Sequence, residues 1–353
     1  MSLRPHFGPC PLPIQHYPQV LMAHGSGGRM MHHLIEQMFL ATFGNEQTGH
    51  HDAACLDLSH PHIAFTTDSY VVSPIFFPGG DIGRMAIYGT VNDLAMAGAR
   101  PLYLSLSFIL EEGLSMETLW QVVQSIRFAA NQAQVAIVTG DTKVVERGKC
   151  DGLYINTSGI GSIEHAWDIS PASIRAGDAI LINGDLGRHA IAIMAQREGL
   201  AFETTLESDL APLARAVLAL IEAGVEIHCL RDLTRGGLAT ALNELAQAAH
   251  CLVQLGETIP VSESVAGASE ILGLDPLYLA NEGRFVAFLP PSQVQRAIAI
   301  LQAVDPDSTP QQIGVVEADL PPSPPPFWVK MHTPFGGNRI LDYRNVDGLP
   351  RIC

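Results

Sequence analysis

The chain has 353 residues, is 47% hydrophobic, and sets 36 acidic against 20 basic side chains for a formal charge of −16. That length suits one large or two medium domains, and the acidic balance argues against a nucleic-acid partner, because phosphate backbones are held on basic faces. No apolar run nears the roughly 18 residues of a bilayer span and the N-terminus lacks a basic-then-apolar signal, so a cytoplasmic protein with no membrane partner is expected.

Residues 1–20 carry five prolines and read as an extended arm. The glycine-rich run His24-Gly25-Ser26-Gly27-Gly28 follows, then a helical pattern over 29–43. A strand is predicted over 63–69, closing on Asp68, and a mostly apolar helix over 84–96, carrying Asn92-Asp93. Residues 102–110 alternate with period two, as a half-buried strand does. Ser115 is placed to cap a helix whose Met116, Leu119, Trp120, Val123 and Ile126 recur at helical spacing. A buried strand over 135–139 runs into Gly140-Asp141-Thr142-Lys143, and a further strand covers 153–160. The Pro/Gly-containing stretch 168–178 reads as a domain boundary. Beyond it come a strand over 179–182, helices over 188–196 and 210–223, and the run Leu230 to Gly237, which opens another helix. Ser292 with Gln295 reads as a capping box for a helix reaching Val304. A proline-rich turn over 321–326 precedes a last strand over 327–331. Strands and helices mix without strict βαβ alternation, which favours an α+β fold.

Six cysteines, at 10, 55, 150, 229, 251 and 353, include no CxxC pair. That spacing fits reduced thiols better than a disulfide framework or a zinc site. His32-His33 and His50-His51-Asp52 read as solvated loop. The P-loop and dinucleotide fingerprints are both absent. What remains is a constellation. Asp68 and Asp141 sit at strand ends and Asp93 lies in Val91-Asn92-Asp93-Leu94, so three hard carboxylates could hold Mg2+ while glycine amides wrap nucleotide phosphates. Taken singly, each Asp reads equally as a turn or cap residue. Lys143, one of three lysines against seventeen arginines, is either a cation for developing phosphoryl charge or, desolvated, a neutral base. Glu282, in Asn281-Glu282-Gly283-Arg284, is the other base candidate, or else a turn carboxylate paired with Arg284. Cys353 closes the run Leu349-Pro350-Arg351-Ile352, a thiol on an arm that from Gly337 spans roughly 50 Å when extended. It reads as a loadable nucleophile or as a frayed end.

His24 to Gly28, Thr67-Asp68-Ser69, Asn92 to Ala99, Thr139 to Val145, Thr234 to Leu238 and the closing Pro350-Arg351-Ile352-Cys353 together resemble the HypE family of hydrogenase-maturation proteins. This is the carbamoyl-dehydratase branch of the aminoimidazole-ribonucleotide-synthetase-like superfamily. The resemblance covers about residue 20 to 353, and the closing tetrapeptide is its most specific part. It implies a two-domain fold: an arm over 1–23, an ATP-binding and dimerisation domain over 24–167 whose strands close a β-barrel with a second subunit, a C-terminal α/β domain over 168–335, and a mobile tail over 336–353. It implies ATP and Mg2+ under the glycine loop, with His24, Gly25, Ser26, Gly27, Gly28, Asp68, Asn92, Asp93, Asp141 and Thr142 at the nucleotide and Asp68, Asp93 and Asp141 on the metal. Lys143 and Glu282 become proton-handling residues and Cys353 the carrier of a carbamoyl group, which ATP-dependent dehydration turns into a thiocyanate. The implied partners are the carbamoyltransferase HypF, the iron scaffold pair HypC and HypD, and a second copy of the chain. The motif Arg231-Asp232-Leu233-Thr234 departs from the family in lacking proline before the threonine.

Two other readings differ in kind. A selenophosphate-synthetase-like or thiamine-phosphate-kinase-like relative would share the ATP site, the former needing a reactive Cys10. A non-enzymatic adaptor would use the Cys353 thiol only to bind a metal or a partner.

Overall fold

The computed structural model of the protein describes residues 10, 17–44, 53–199, 206–317 and 327–342. In the N-terminal half, a 3-10 turn (Met22–Gly25) leads into one continuous helical segment: α1 (Arg29–Leu34), a π-helical stretch (Ile35–Leu40) and α2 (Ala41–Phe43). After β1 (Ile63–Tyr70) and the short hairpin β2 (Phe76–Phe77) and β3 (Gly80–Asp81) comes α3 (Ile82–Met96). Asp81 starts that helix by accepting from the amides of Gly83 (2.8 Å) and Arg84 (3.1 Å), which satisfies two of its orphan donors. The half is completed by β4 (Arg100–Glu111), α4 (Met116–Ala133), β5 (Ala136–Val145) and β6 (Leu153–Ser162).

These long strands form one sheet in the order β1-β6-β4-β5, parallel only between β4 and β5, which α4 connects. The period-two pattern sorts the faces. Leu104, Leu106, Phe108 and Leu110 are buried beneath α3 and α4, while Tyr103, Ser105, Ser107 and Ile109 take the other face. No closed barrel forms within one chain: β1 and β5 are open edges among the described residues, and the outer face carries exposed Ile63, Phe65 and Ile109.

The C-terminal half contains β7 (Ala179–Ile182), α5 (Arg188–Arg197), α6 (Ala214–Glu222), β8 (Cys229–Asp232), α7 (Gly237–Ala249), β9 (Val253–Leu255), α8 (Glu263–Leu272), β10 (Phe285–Leu289), α9 (Val294–Val304), β11 (Gln311–Val316), β12 (Val329–His332) and β13 (Asn338–Leu341). They make a seven-stranded sheet, β13-β12-β9-β11-β7-β10-β8, in which only β9–β12 is parallel. This half is therefore α+β in its pairing. The near-uniform apolar runs of β7 and β10 are buried throughout, as strands covered on both faces are.

Several local expectations need correction. Asp141 does not follow a strand; it lies inside β5, opposite Ser107. Ser115 stands at the N-cap of α4 but its hydroxyl makes no cap bond. The expected Ser292–Gln295 capping box is absent, because Pro290 and Pro291 set up a 3-10 turn over Pro291–Gln293 and α9 begins after it. The hairpin β12–β13 keeps the chain in the sheet to Leu341, past residue 336 where the tail was expected to start. No helix among the described residues is long and apolar enough to cross a membrane.

Candidate active site

Helix α3 lies between the two sheets, touching β1 and β6 on one side and β8 and α6 on the other. Almost every residue on it is buried, including the polar Asn92. The Asn92 side chain spends its hydrogen bonds on C-terminal backbone: Nδ2 donates to the carbonyls of Ala211 (3.1 Å) and Glu282 (3.2 Å), and Oδ1 accepts from the amide of Leu213 (2.7 Å). Asn92 was expected at the nucleotide. In the structure its side chain clamps the two halves together.

Next to the clamp, Asp93 accepts from the Thr66 hydroxyl at 2.8 Å. Asp68 follows two residues after Thr66 on the same inner face of β1. Asp232 ends β8, and Glu282 sits three residues before β10. These carboxylates feel one another. Burial first, then Asp93 and Asp68, pushes Asp232 up to about 7. Burial also raises Asp93, with Asp68 adding to it and Arg231 and Arg235 opposing. Glu282 stands well above the usual carboxylate range, through burial and the nearby Asp209, Asp232, Asp68 and Asp93. A buried cluster of one sign, short of compensating cations, fits a bound cation by charge, and its hard oxygens fit Mg2+ by type. It is not a finished cage: among the described residues no group of three or more His, Cys, Asp or Glu side chains is placed to hold a metal ion. Nucleotide-bound Mg2+ characteristically takes much of its shell from phosphate and water, so one or two carboxylates suffice.

The Glu282 segment is braced from below. Asp209 accepts from the amides of His189 (3.1 Å), Gly283 (3.0 Å) and Glu282 (3.4 Å). A Cβ on Gly283 would stand 1.9 Å from the Asp209 carbonyl oxygen, so only glycine permits this approach. The alternative reading of Glu282 as a partner of Arg284 does not hold, since Arg284 Nη2 bonds Asp185 at 2.7 Å.

A second group of expected site residues gathers elsewhere. Gly25 packs on β5 so closely that a Cβ would lie 2.7 Å from the Val144 amide nitrogen. His24 is buried and its Nδ1 accepts from the Leu21 amide at 2.9 Å, so it shapes the turn; burial lowers its pKa. Ser26 donates to the Ala23 carbonyl at 3.2 Å, Gly27 adopts φ +79°, and Gly28 is the N-cap of α1. On β5, Asp141 and Lys143 form a 2.9 Å ion pair on the outer face, and the Thr142 amide donates to Asp141 at 2.8 Å. Lys143, together with that amide, holds Asp141 below the usual carboxylate range. The Lys143 side chain is 63% exposed, the setting of a cation rather than of a desolvated amine.

One chain therefore divides the expected site. Asp141 pairs across the sheet with Ser107, Asn156 and Ser69 on the outer face, whereas Asp68 points inward. Edge to edge, β1 and β5 stand three strand spacings apart, roughly 14 Å. The trio Asp68, Asp93 and Asp141 is not assembled, and Asp232 joins the first two instead. Sequence reasoning missed Asp232 although it carries the same signal as Asp68, an acidic residue at the end of an apolar strand. It also missed Asp209. Cys353 lies outside the described residues. The last described residue before it, Asp342, is tied to the C-terminal half: Tyr278 Oη donates to the Asp342 carbonyl at 3.0 Å.

The two halves match family models for the AIR synthase related protein, the N-terminal domain over residues 50–163 and the C-terminal domain over 175–320. A carbamoyl dehydratase HypE from Bradyrhizobium diazoefficiens is 48% identical over 335 residues, 94% of this chain and 95% of the relative. The chain belongs to the HypE carbamoyl dehydratase family. A crystal structure of a HypE in complex with ATP superposes with a TM-score of 0.88 at 48% identity, covering 94% of this chain and 99% of that one. A crystal structure of a HypE–HypF complex matches with a TM-score of 0.75 at 41% identity, covering 88% and 99%. HypE membership separates the chain from the selenophosphate-synthetase-like reading, whose required thiol, Cys10, packs against the hydrophobic core.

Proposed function

We propose that this protein uses ATP and Mg2+ to dehydrate a carbamoyl group carried on the Cys353 thiol to a thiocyanate, the source of the cyanide ligand on the iron of a [NiFe]-hydrogenase. The observation that carries this reading is family membership across 94% of the chain. Eleven residues, 343–353, follow the last described one, and at about 3.3 Å each they extend up to roughly 36 Å. A transferase of the HypF kind would load the thiol, and a HypC–HypD scaffold would receive the cyanide.

An amide oxygen is a poor leaving group, so water is not expelled from a thiocarbamate unaided. ATP would supply the phosphoryl group that converts this oxygen into a phosphate leaving group, and Asp68, Asp93 and Asp232 would hold a Mg2+ that offsets the charge. The amide nitrogen must lose both protons, one as the C=N bond forms and one as phosphate departs to leave S–C≡N. Lys143 serves as the cation facing the transferring group, with Asp141 fixing its position. Glu282 takes a nitrogen proton. Burial and the neighbouring carboxylates raise its pKa, and a cation held toward Asp68, Asp93 and Asp232 would oppose that shift.

A second copy of the chain completes the site. The exposed apolar face at Ile63, Phe65 and Ile109 is the surface on which two four-stranded sheets would close, joining the glycine loop, Asp141 and Lys143 of one copy to the carboxylates of the other. The overall reading is tested by intact-mass spectrometry after incubation with carbamoyl phosphate, ATP and the transferase. Wild type should gain one carbamoyl group and then lose one water, and Cys353→Ala should do neither. Carbamoylation retained in Cys353→Ala would overturn it. A Glu282→Ala protein that forms thiocyanate at the wild-type rate would remove Glu282 as the base.

A further inference from the structure

We infer that the irregular segment over residues 206–213, which precedes α6, is a strap that sets the position of Glu282 from the N-terminal half, and that Asp209 is the positioning residue within it. The role rests on Glu282 acting as the base, and it adds how that base is held in place relative to α3.

Glu282 precedes β10, which begins at Phe285, and its peptide groups are held by side chains. Its amide donates to Asp209 Oδ1 at 3.4 Å, the following Gly283 amide donates to Asp209 Oδ2 at 3.0 Å, and its carbonyl accepts from Asn92 Nδ2 at 3.2 Å. Asp209 Oδ1 also accepts from the His189 amide at 3.1 Å, so both carboxylate oxygens are in use as acceptors. An asparagine could not do the same, because its NH2 would set a donor against a donor. The Asp209 side chain has no exposed surface, and Arg284 Nε stands 4.0 Å from it. A charge buried at that cost, with backbone amides as its close partners, holds the Glu282 loop in one conformation.

The strap is in turn fixed by the N-terminal half. The Ser208 amide donates to the Pro78 carbonyl at 2.9 Å, in the turn between β2 and β3. Gly79 permits that approach: it adopts φ +88°, and a Cβ there would stand 2.7 Å from the Ser208 amide nitrogen. A Cβ on Gly80 would stand 2.5 Å from Leu210 Cδ2. Beyond Asp209, Asn92 holds the Ala211 carbonyl and the Leu213 amide. Residues 78–81 run directly into α3, the helix that carries Asp93. One element thus presents Asp93 and, through the strap, fixes the backbone of Glu282. A misplacement of about 1 Å at a reacting group costs on the order of a hundredfold in rate.

Single-turnover dehydration of the carbamoylated full chain, over a series of Mg2+-ATP concentrations, tests this. Asp209→Asn keeps the size and removes one acceptor; Gly79→Ala displaces Ser208 without changing any charge. Each should lower the dehydration rate at saturating ATP by about tenfold or more, with the KM for ATP and the carbamoyl loading of Cys353 unchanged. A merely structural role predicts the converse, a lower urea midpoint with an unaltered rate per folded molecule, and that outcome overturns the proposal. A slow Asp209→Asn beside a wild-type rate in Gly79→Ala would also overturn it, because the lost charge rather than the lost position would explain the effect. Should Asp209→Asn fail to fold, Gly79→Ala decides alone. Glu282→Ala, measured alongside, keeps the two readings apart. If it is slow while both variants run at the wild-type rate, the positioning role fails alone; if it runs at the wild-type rate, the base is withdrawn and the positioning role falls with it.

Discussion

Asn92→Ala separates two roles that the sequence could not separate. If Asn92 were a nucleotide ligand, its loss would raise the KM for ATP and leave stability nearly intact. The structure gives the opposite expectation. Three hydrogen bonds cross the junction from this side chain, to the carbonyls of Ala211 and Glu282 and from the amide of Leu213. At about 1 kcal/mol net for each, the loss is about 3 kcal/mol, with more for any of the three backbone groups left dry and unpaired. The Glu282 carbonyl is one of those groups, so its segment also loses a restraint, and the dehydration rate should fall while the KM for ATP stays put. Urea unfolding monitored by circular dichroism gives the stability change, and ATP-concentration series on the folded variant give the kinetic split. A stability loss below about 1 kcal/mol together with a tenfold rise in KM would refute the clamp and restore Asn92 to the nucleotide.

Asp232 ties stability to pH. Its folded pKa is about 7 against an ordinary 3.8, so the folded state binds more protons across that window and stability falls as pH rises through it. The full penalty is about 4 kcal/mol above pH 7. Asp232→Asn should therefore be the more stable protein at pH 8 without ligand, in chemical denaturation, and should bind Mg2+-ATP poorly; identical pH curves for variant and wild type would contradict this. Lys143→Ala and Glu282→Ala should each be inactive, yet mixing the two should restore about a quarter of wild-type activity if subunits exchange, because half the dimers then hold one intact composite site. A mixture as inactive as its parts would place both residues in a single-chain site. Phe65, 67% exposed on the sheet face, should tolerate Phe65→Asp as a folded monomer that has lost ATP turnover; light scattering that still reports a dimer would move the interface elsewhere.

The long elements were legible because their periodicity is strong: β4 alternates cleanly, and α4 repeats its apolar residues at helical spacing. Short β9 and β13, with three and four residues, carry too little pattern to stand out from loop, and α8 is interrupted by Gly267. Motifs revealed residue types but not directions. Asp68 and Asp141 look alike in sequence, each acidic within an apolar strand. Their opposite faces follow from register, a pairing between segments far apart in the chain, where a slip of one residue reverses every side chain. The clamp role of Asn92 was hidden for a related reason. Its neighbours in sequence suggest a ligand site, while its partners come from residues more than a hundred positions away.

The protonated state of the cleft bears on the order of events. A glutamate ionised from the outset could attack a loaded arm before nucleotide arrived, at no benefit, since the amide oxygen would not yet be a leaving group. Burial and the nearby Asp209, Asp232, Asp68 and Asp93 instead raise the Glu282 pKa. In the proposed mechanism, a cation placed among Asp68, Asp93 and Asp232 would relieve that pressure. The same charge excess that makes the cleft costly above pH 7 would then couple base activation to cation binding. This coupling has a measurable form: added Mg2+-ATP should lower the Glu282 pKa, seen as a shift of its carboxyl stretch by difference infrared spectroscopy against Glu282→Gln. A carboxyl band unchanged by Mg2+-ATP would show that Glu282 stays protonated, and the nitrogen proton would then need another acceptor.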